Sequence, residues 1–456
     1  MPLQKNQVLT LRVERLSSDG SGVAHSPDGE TVFIPGAAPG DEARVRIVKD
    51  CKRYAFGILD EVLTPSPDRI PVDCAVAGPC GGCSLRHLDY AAELRAKQEN
   101  VADAFARIGG LDVPVLPIVG SPEVNRYRNK VQFPVGVDKS GKPCIGFYAG
   151  RTHRIVPCPD CRLQPGVLNE IGNALCAFFA EKGIQPYSEE TGKGLVRHIF
   201  LRRGAHSGQI MVCLVCTRAK LPYAEELCTR LKAQFAEITT ILLNVNAKNT
   251  NVILGTETHT LYGPGYIEDT LCGVPVQLGP LSFYQVNTLA AEQLYGIAAQ
   301  YAQLTPDDLL LDLYCGMGTI GLSMADHCRE LIGVEIVPEA IESAKAIAAR
   351  MGADVAAKSR FFCADAGQAA TRLAAEGLHP DIIMLDPPRK GCDEATLSAV
   401  VRMSPRRVVY VSCNPATAAR DAAWLDQNGY HAEKVQPVDL FPRTRHCECV
   451  LSFSKV

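Results

Sequence analysis

The chain of 456 residues lacks any apolar run as long as a membrane-spanning helix. Its first residues, MPLQKNQVLTLRVERL, carry scattered charges where a secretion signal needs an apolar core. From these two absences we expect a cytoplasmic protein that is neither exported nor membrane-spanning. An excess of positive charge is also missing: the net charge is −3, so any nucleic-acid binding must rely on local basic clusters. The chain has no internal repeat and no low-complexity tract.

Cysteine, by contrast, is plentiful. The chain has 19 cysteines, an odd number. In an exported protein they would suggest disulfides. In a long chain without a secretion signal they indicate reduced thiols, metal ligands or catalytic groups.

Three regions differ in their hydrophobic pattern. Residues 1–62 alternate apolar and polar positions between Gly, Pro and Asp, which predicts a small OB-like β-barrel. Residues 63–285 begin with a proline-rich linker and a helix over 89–110, and then strand-like runs dominate, which predicts a central α+β domain. Residues 286–456 alternate helical patterns with apolar strands. There we expect a Rossmann-like α/β domain with a parallel sheet, to which a C-terminal antiparallel hairpin is added.

The segment LLLDLYCGMGTIGLSMA (309–325) has the pattern of a buried strand, a glycine turn and a helix. Gly316, Gly318 and Gly321 match G-x-G-x-x-G, and Glu335 lies where an acid that binds a ribose is expected. A nicotinamide dinucleotide and S-adenosylmethionine are therefore both candidate ligands. Asp312 favours the methyl donor, because it suits a ligand ammonium better than a pyrophosphate.

The fourth predicted strand of this sheet ends in LDPPRKG (385–391). Its rigid Pro387-Pro388 pair projects Asp386 and backbone carbonyls at the reactive edge of the sheet, which again favours methyl transfer. Turn formation at the strand end is the alternative role for Asp312 and Asp386.

The fifth strand runs into Ser412-Cys413-Asn414-Pro415. A cysteine thiolate can add to carbon 6 of uracil, and this addition makes carbon 5 nucleophilic enough to attack a methyl sulfonium. A base must then remove the carbon 5 proton, and Glu448 in RTRHCECV is the candidate. The structural alternatives are a buried thiol for Cys413 and a solvated carboxylate for Glu448.

Five motifs in order resemble the RNA (uracil-5-)-methyltransferase family: FYQVN (283–287), DLYCGMGTIGL (312–322), DPPRKG (386–391), SCNP (412–415) and HCECV (446–450). The N-terminal barrel is similar to the TRAM domain, an RNA-binding module of the family's ribosomal RNA branch. The resemblance implies Cys413 as nucleophile and Glu448 as base. It also implies that these residues contact S-adenosylmethionine: Gln285, Tyr314, Glu335 and Asp386, with Asp365 near the adenine.

Cys447 and Cys449 depart from the family pattern, which has apolar residues beside the base. They place two further thiols near the predicted active site, where they would complicate labelling experiments.

A glycine-rich turn holds Cys74, Cys80 and Cys83, spaced C-x5-C-x2-C. Three such thiolates suit a metal or an iron–sulfur cluster, which needs a fourth ligand. The resemblance implies a 4Fe-4S cluster with Cys161 as that ligand, while Cys158 competes for the position. A tetrahedral zinc site is the alternative.

Basic residues are clustered despite the negative net charge. The clusters are NRYRNK (125–130), RTHR (151–154), RHIFLRR (197–203) and RTR (443–445). They predict phosphate contacts along a groove that leads to Cys413, with Tyr127 and Phe133 as candidates for stacking on bases.

The sequence therefore predicts a uracil-5-methyltransferase that acts on RNA. Large-subunit (23S) ribosomal RNA is the expected substrate, because the family's transfer RNA branch lacks both the barrel and the cysteine cluster. The alternatives are a tRNA uracil-5-methyltransferase, an exocyclic-amine methyltransferase, a nicotinamide oxidoreductase and a non-catalytic iron–sulfur RNA-binding protein. Nothing in the sequence predicts the oligomeric state.

Overall fold

A computed structural model describes residues 3–150, 152–248 and 250–456. The first region is a closed five-stranded barrel. Its strands are β1 (Val8–Leu16), β2 (Ser21–His25), β3 (Thr31–Pro35), β4 (Glu42–Asp50) and β5 (Tyr54–Thr64), arranged in the order β1-β2-β3-β5-β4.

Side chains of the barrel strands alternate between its interior and its surface. In β4, Ala43, Val45 and Ile47 are fully buried and the residues between them are not. β5 approaches β4 so closely that a Cβ atom on Gly57 would lie 2.3 Å from a methyl carbon of Val45. The barrel that the alternating pattern predicts is thus confirmed.

The barrel is followed by a connecting segment and then by helix α1 (Tyr90–Ala104). Asp89 caps the helix by accepting a hydrogen bond from the Ala92 N–H at 2.7 Å. A π-helical turn, Phe105–Gly109, continues the helix, and Gly110 ends it with a left-handed φ of 63°. The helix predicted over residues 89–110 is confirmed, and its last turn is π-helical.

The central region contains a seven-stranded sheet, called the central sheet below. Its elements are β6 (Lys130–Val137), β7 (Pro143–Tyr148), β8 (Ile155–Pro157), α2 (Gly166–Lys182), β9 (Val196–Arg203), β10 (Ile210–Cys216), α3 (Ala224–Gln234), β11 (Ile238–Val245) and β12 (Glu257–Tyr262). The strand order is β12-β11-β10-β9-β6-β7-β8, and β10 and β11 form its parallel pair. A separate hairpin of β13 (Ile267–Leu271) and β14 (Val274–Leu278) follows.

The last region contains a second seven-stranded sheet, the C-terminal sheet. Its elements are α4 (Thr288–Ala302), β15 (Leu309–Leu313), α5 (Thr319–Ser323), β16 (Glu330–Glu335), α6 (Pro338–Met351), α7 (Ala353–Lys358), β17 (Ser359–Cys363), α8 (Ala366–Ala375), β18 (Ile382–Leu385), α9 (Glu394–Met403), β19 (Arg407–Ser412), α10 (Pro415–Gln427), β20 (Tyr430–Val438) and β21 (Glu448–Lys455). A 3-10 turn, Ala325–His327, follows α5.

The strand order of the C-terminal sheet is β17-β16-β15-β18-β19-β21-β20. The first five strands are parallel, and β21 is antiparallel to β19 and to β20. The five strands and the added hairpin that the sequence predicts are therefore confirmed. Among the described residues, no helix combines the length and the apolar character needed to cross a bilayer.

A buried group of charges joins α1 to the segment between β20 and β21. The Lys97 ammonium donates hydrogen bonds to Glu93 at 2.7 Å and to Asp439 at 2.8 Å, and all three side chains are almost fully buried. The Tyr90 hydroxyl also donates to Asp439, and the Arg443 N–H donates to Glu93. The segment that leads into Glu448 is therefore held by a helix more than 300 residues away in sequence.

Candidate active site

The carboxyl ends of β15, β16, β18 and β19 meet at one edge of the C-terminal sheet, where open α/β sheets bind their ligands. β21 runs antiparallel beside β19, so the first residue of β21 lies at this same edge. The register pairs Ser412 with Cys449, which sets the following Cys413 beside Glu448. The two residues predicted as nucleophile and base are thus brought together by one strand pairing.

Three carboxyl groups share this edge with Cys413. Burial raises the pKa of Asp312 to about 8, with Asp386 and Glu335 adding to the shift. Burial likewise raises the pKa of Asp386 to about 7, and burial together with Asp386 raises that of Glu448 to about 8. Burial, Glu448 and Asp386 also raise the pKa of the Cys413 thiol. Without bound ligands the site therefore favours the protonated forms of these groups.

Arg389 opposes these shifts. Its guanidinium is in hydrogen-bond contact with Cys413 and acts to lower the pKa of both Cys413 and Glu448. Its backbone carbonyl accepts hydrogen bonds from Asn414 at 3.0 Å and from the Thr417 hydroxyl at 3.3 Å, which ties the loop after β18 to the start of α10. Arg389 stands in the DPPRKG motif, but nothing in the sequence pattern indicates this contact with Cys413.

The glycine turn after β15 is organised by two acids. Asp312 accepts a hydrogen bond from the Gly321 N–H at 3.1 Å, and a Cβ atom at Gly321 would lie 2.8 Å from that carboxylate. The other oxygen of Asp312 is buried and has no hydrogen-bond partner among the described residues. Glu335 accepts from the Gly316 N–H at 3.1 Å and from the N–H groups of Ile336 and Val337. A buried acceptor that lacks a donor suits a ligand ammonium.

Gln285 lies on the segment between β14 and α4, where Asn129 holds it. The Asn129 side chain donates to the Gln285 carbonyl at 2.7 Å and to the Thr288 hydroxyl at 2.9 Å. The Gln285 side chain contacts the hydroxyl of Tyr295, which also lies 3.5 Å from the hydroxyl of Thr319 at the start of α5. The structure therefore brings Gln285 to the same crevice as the residues of β15 and β18.

The other two predicted cofactor contacts follow β15 and β17, the two strands on either side of β16. Tyr314 follows β15 with a left-handed φ of 66°, and its hydroxyl lies 3.3 Å from that of Thr396. Asp365 follows β17 and caps α8 by accepting from the Gln368 N–H at 3.1 Å.

Sequence comparison adds to this geometry. The signature of the tRNA (Uracil-5-)-methyltransferase family matches residues 277–456, and that of the TRAM domain matches residues 2–59. An RNA methyltransferase of Halalkalibacterium halodurans is 43% identical over 450 residues, which cover 98% of this chain and 97% of the relative. The chain belongs to the RNA (uracil-5-)-methyltransferase family.

A second relative, an RNA methyltransferase of Bacillus cereus, is 41% identical over 456 residues, which cover 100% of this chain and 98% of the relative. A solved structure, the Pyrococcus abyssi tRNA (uracil-54, C5)-methyltransferase with S-adenosyl-L-homocysteine, is 26% identical with a TM-score of 0.77. It covers 98% of this chain and 100% of that one. The protein is thus an S-adenosylmethionine-dependent RNA methyltransferase. This finding contradicts the alternative of a nicotinamide oxidoreductase.

The P. abyssi structure also bears on the substrate. Because a tRNA-acting protein spans 98% of this chain, the N-terminal barrel does not by itself separate a ribosomal from a transfer RNA substrate. The choice between these two substrates therefore stays a prediction.

The prediction that Tyr127 and Phe133 stack on RNA bases is wrong, because both side chains are buried. Tyr127 is 6% exposed and donates its hydroxyl proton to the Pro442 carbonyl, and Phe133 is fully buried in the central sheet. Two arginines of the RHIFLRR cluster are buried as well: Arg197 and Arg202 donate to backbone carbonyls. Of the RTHR cluster, Arg151 lies outside the described residues.

The two extra thiols beside Glu448 are both buried. Cys447 contacts the Val438 carbonyl and Cys449 contacts that of Ser412. Burial raises the pKa of both thiols far above its ordinary value. They therefore stay neutral, and Cys413 is the more accessible thiol at this edge.

Five cysteines line one cavity of about 220 Å³ beside the central sheet: Cys74, Cys80, Cys83, Cys158 and Cys161. Arg86, Arg128 and Lys130 line the same cavity, and the Nε atom of Arg128 is buried without a hydrogen-bond partner. Within the described ranges, no three His, Cys, Asp or Glu side chains are close enough together to hold one metal ion.

The raised carboxyl pKa values predict how the stability of the ligand-free protein depends on pH. A buried acid with a raised pKa binds its proton more tightly when folded, so stability is lost as the pH rises from about 4 towards about 8. We expect Asp312→Asn to flatten this decline and to raise the free energy of unfolding by about 1–3 kcal/mol at about pH 8.5. Urea unfolding of both proteins at about pH 5.5 and about pH 8.5 measures the effect. Equal pH dependence in the two proteins would contradict the assignment.

Proposed function

We propose that the protein methylates carbon 5 of uridine in RNA through a covalent bond between Cys413 and carbon 6 of the base. One observation carries this proposal: the β19–β21 register sets Cys413 beside Glu448 at the reactive edge of the sheet. A thiol next to a carboxyl group in a methyl-donor crevice suits addition followed by proton abstraction.

In this mechanism, the Cys413 thiolate adds to carbon 6 and leaves electron density at carbon 5. S-adenosylmethionine supplies the methyl group that carbon 5 takes up. Glu448 then removes the carbon 5 proton, the bond between carbon 6 and Sγ breaks, and Cys413 leaves as a thiolate. The products are 5-methyluridine and S-adenosylhomocysteine. Because the target base must reach Cys413, it has to leave its stack.

The electrostatics of the site indicate how the thiolate forms. Glu448 and Asp386 oppose ionisation of Cys413, whereas Arg389 favours it. A bound cofactor with a positive sulfonium and an ammonium near Asp312 adds further positive charge to this crevice. Cofactor binding therefore prepares both Cys413 and Glu448 by favouring their ionised forms.

Within the cofactor crevice we assign contacts to the residues that lie around it. Asp312 and Glu335 hold the glycine turn, and Asp312 has a free acceptor for the ligand ammonium. The remaining contacts are assigned to Gln285, Tyr314, Asp386 and, near the adenine, Asp365. Asp386 also lies close enough to Glu448 and Cys413 to meet the target base.

The proposed substrate is 23S ribosomal RNA. The support is the combination of the barrel with the cysteine cavity, which is the pattern of the family's ribosomal RNA branch. Transfer RNA is the competing substrate, as in the P. abyssi neighbour.

RNA that contains 5-fluorouridine tests both the chemistry and the substrate. Fluorine at carbon 5 cannot be removed as a proton, so we expect the reaction to stall with the base bonded to Cys413. Transcripts of 23S ribosomal RNA and of tRNA are incubated with the protein and S-adenosylmethionine, and a denaturation-resistant complex is mapped by mass spectrometry. An adduct with tRNA alone would identify tRNA, and not 23S ribosomal RNA, as the substrate. If neither RNA forms an adduct although cofactor binding is intact, carbon 5 methylation by this route is excluded.

We further propose that the cysteine cavity holds a 4Fe-4S cluster with Cys74, Cys80, Cys83 and Cys161 as ligands. In such a cluster each thiolate binds a different iron, which suits sulfurs that do not converge on one point. The cationic lining fits the net negative charge of a cluster with four thiolates. The Cys158 thiol is in hydrogen-bond contact with Cys161, and this contact lowers the pKa of Cys161 against the cost of burial. The cluster would have a structural role, because methyl transfer needs no electron.

Anaerobic purification tests the cluster. We expect about four iron atoms and four acid-labile sulfides per chain, with broad absorbance in the visible range. Cys161→Ser should lose most of this iron, whereas Cys158→Ser should retain it. Stoichiometric zinc without sulfide would contradict the proposal. If Cys158→Ser loses the iron and Cys161→Ser retains it, Cys158 and not Cys161 is the fourth ligand.

A further inference from the structure

The residues that sequence patterns assign to RNA stacking are buried, yet the barrel exposes a group of aromatic rings. Phe33 on β3 and Tyr54 and Phe56 on β5 contact one another with ring-centroid separations of 5.7, 5.8 and 5.7 Å. Tyr54 is 40% exposed and the two phenylalanines are half-buried. We call these three residues the aromatic wall.

The aromatic wall lies on the outside of the barrel. Its neighbours in sequence, Val32, Ile34 and Ala55, are fully buried and point inward. The register pairs Phe33 with Phe56 across β3 and β5, so the two rings stand side by side on the outer surface. Ile58, the next outward residue of β5, is 47% exposed and extends the wall. An apolar surface of this kind on a water-facing sheet indicates a binding site rather than a core.

Basic residues flank the wall on one side. Lys49 is paired with Phe56 and Arg46 with Ile58 across β4 and β5, so both project from the same face. Lys52 and Arg53 are exposed on the turn just before Tyr54. Residues 44–54 contain one acid, Asp50, against five basic residues: Arg44, Arg46, Lys49, Lys52 and Arg53. Asp60 and Glu61 pair with two of them, Arg46 and Arg44, which leaves the positive charge concentrated around Lys49 and the turn.

We propose that the aromatic wall binds a single-stranded segment of the substrate RNA, with bases stacked on Tyr54, Phe33 and Phe56 and phosphates beside Lys49, Lys52 and Arg53. The proposal rests on the RNA substrate of the proposed function. Aromatic faces next to a line of positive charge suit single-stranded nucleic acid, because bases need a stacking surface and phosphates need cations. Apolar contact with a protein partner would account for the aromatic rings but not for the basic residues Lys52 and Arg53 beside them, so we favour RNA.

The position of the wall shows which part of the RNA it would hold. The β1–β2 turn touches the catalytic segment, since the Arg445 guanidinium donates to the Asp19 carbonyl at 3.4 Å. That turn lies at the end of β3, because Ser21 pairs with Pro35. Tyr54 pairs with Thr31 at the start of β3, so it lies towards the opposite end of the barrel. The wall therefore holds a flanking segment and not the uridine that reacts at Cys413.

Binding of a labelled oligoadenylate of about 12 nucleotides tests the proposal, because this probe contains no uridine to enter the active site. We expect Tyr54→Ala and Phe56→Ala each to weaken binding by about 5- to 100-fold, while Tyr54→Phe retains the affinity. Tyr223→Ala removes a tyrosine of the central region that is more exposed than Tyr54, 55% against 40%, and is the matched control. Lys52→Gln should reduce the salt dependence of binding by about 0.7 in the log–log slope.

Thermal melting and the affinity for S-adenosylhomocysteine serve as checks on folding, and we expect both to match those of the unmodified protein. The proposal is overturned if Tyr54→Ala and Phe56→Ala bind oligoadenylate as tightly as the unmodified protein, or if that protein does not bind it. The proposed uracil chemistry fails separately, through the absence of a 5-fluorouridine adduct. A loss of oligoadenylate affinity in the two wall variants would support the wall whatever the outcome of the adduct experiment.

Discussion

Cys413→Ala is expected to lose methyl transfer to RNA by about 10⁴-fold or more, the scale on which covalent enzymes lose activity without their nucleophile. Without the thiolate, carbon 5 of uracil has too little electron density to attack the sulfonium. Cys413→Ser should be nearly as inactive, because a hydroxyl at this position ionises far less readily than a thiol. Binding of S-adenosylhomocysteine should change little, since the cofactor crevice is formed mainly by other residues. Methyl transfer from labelled S-adenosylmethionine and calorimetric titration measure the two quantities.

Cys449→Ala is the matched control for this loss. Cys449 is a fully buried thiol on the strand next to Cys413, and its raised pKa keeps it neutral. We expect its replacement to leave transfer within a few-fold of the unmodified protein. If Cys413→Ala retained activity with normal cofactor binding, the methylated atom would be one that needs no covalent activation, such as an exocyclic amine.

Glu448→Gln is expected to stop the reaction at a later stage. Addition of Cys413 and methylation of carbon 5 can proceed, but the glutamine amide does not accept the carbon 5 proton. The methylated base should then stay bonded to Cys413, and turnover should fall by about 10²- to 10⁴-fold. A denaturation-resistant complex that carries the labelled methyl group, formed with ordinary uridine RNA, is the diagnostic observation.

The pH dependence of this step gives a second test of Glu448. Its raised pKa of about 8 in the ligand-free site means that the base becomes available as the pH rises. Bound cofactor and Arg389 favour the carboxylate, so the pKa in the complex should be lower than in the free protein. Release of tritium from carbon 5 of the target uridine, measured between about pH 6 and about pH 9, follows proton removal directly. Unimpaired tritium release by Glu448→Gln would assign the base to another residue.

Much of the C-terminal sheet is predictable because its strands are buried on both faces and leave uninterrupted apolar runs such as LLLDL and RVVYV. The motifs at the ends of these runs place Asp312, Asp386 and Cys413 at one edge, since parallel strands end on the same side. The meeting of Cys413 with Glu448 needs one further fact, the antiparallel pairing of β21 with β19, which the sequence indicates only as an added hairpin.

Other parts of the site depend on contacts that hydrophobic periodicity does not encode. Arg389 lies in a loop, where no repeating pattern indicates the direction of a side chain. The Tyr127 hydroxyl meets a carbonyl 315 residues later, and Phe133 packs in the apolar cluster between the central sheet and α2. Conversely, the aromatic wall is formed by residues of two strands that pair in parallel, so its three rings are separated in sequence.

The buried charges around Lys97 make the C-terminal region depend on α1, which belongs to an earlier part of the chain. A fragment that begins near residue 277 has the complete C-terminal sheet but lacks Lys97, the ammonium that compensates Asp439. In such a fragment Asp439 and the apolar side chains that α1 and the turn after it cover, among them Leu451 and Phe453, would be exposed to water. We therefore expect the isolated C-terminal region to be less stable than the same region in the whole chain, and an exchange of this region alone between relatives would need a matching α1 helix.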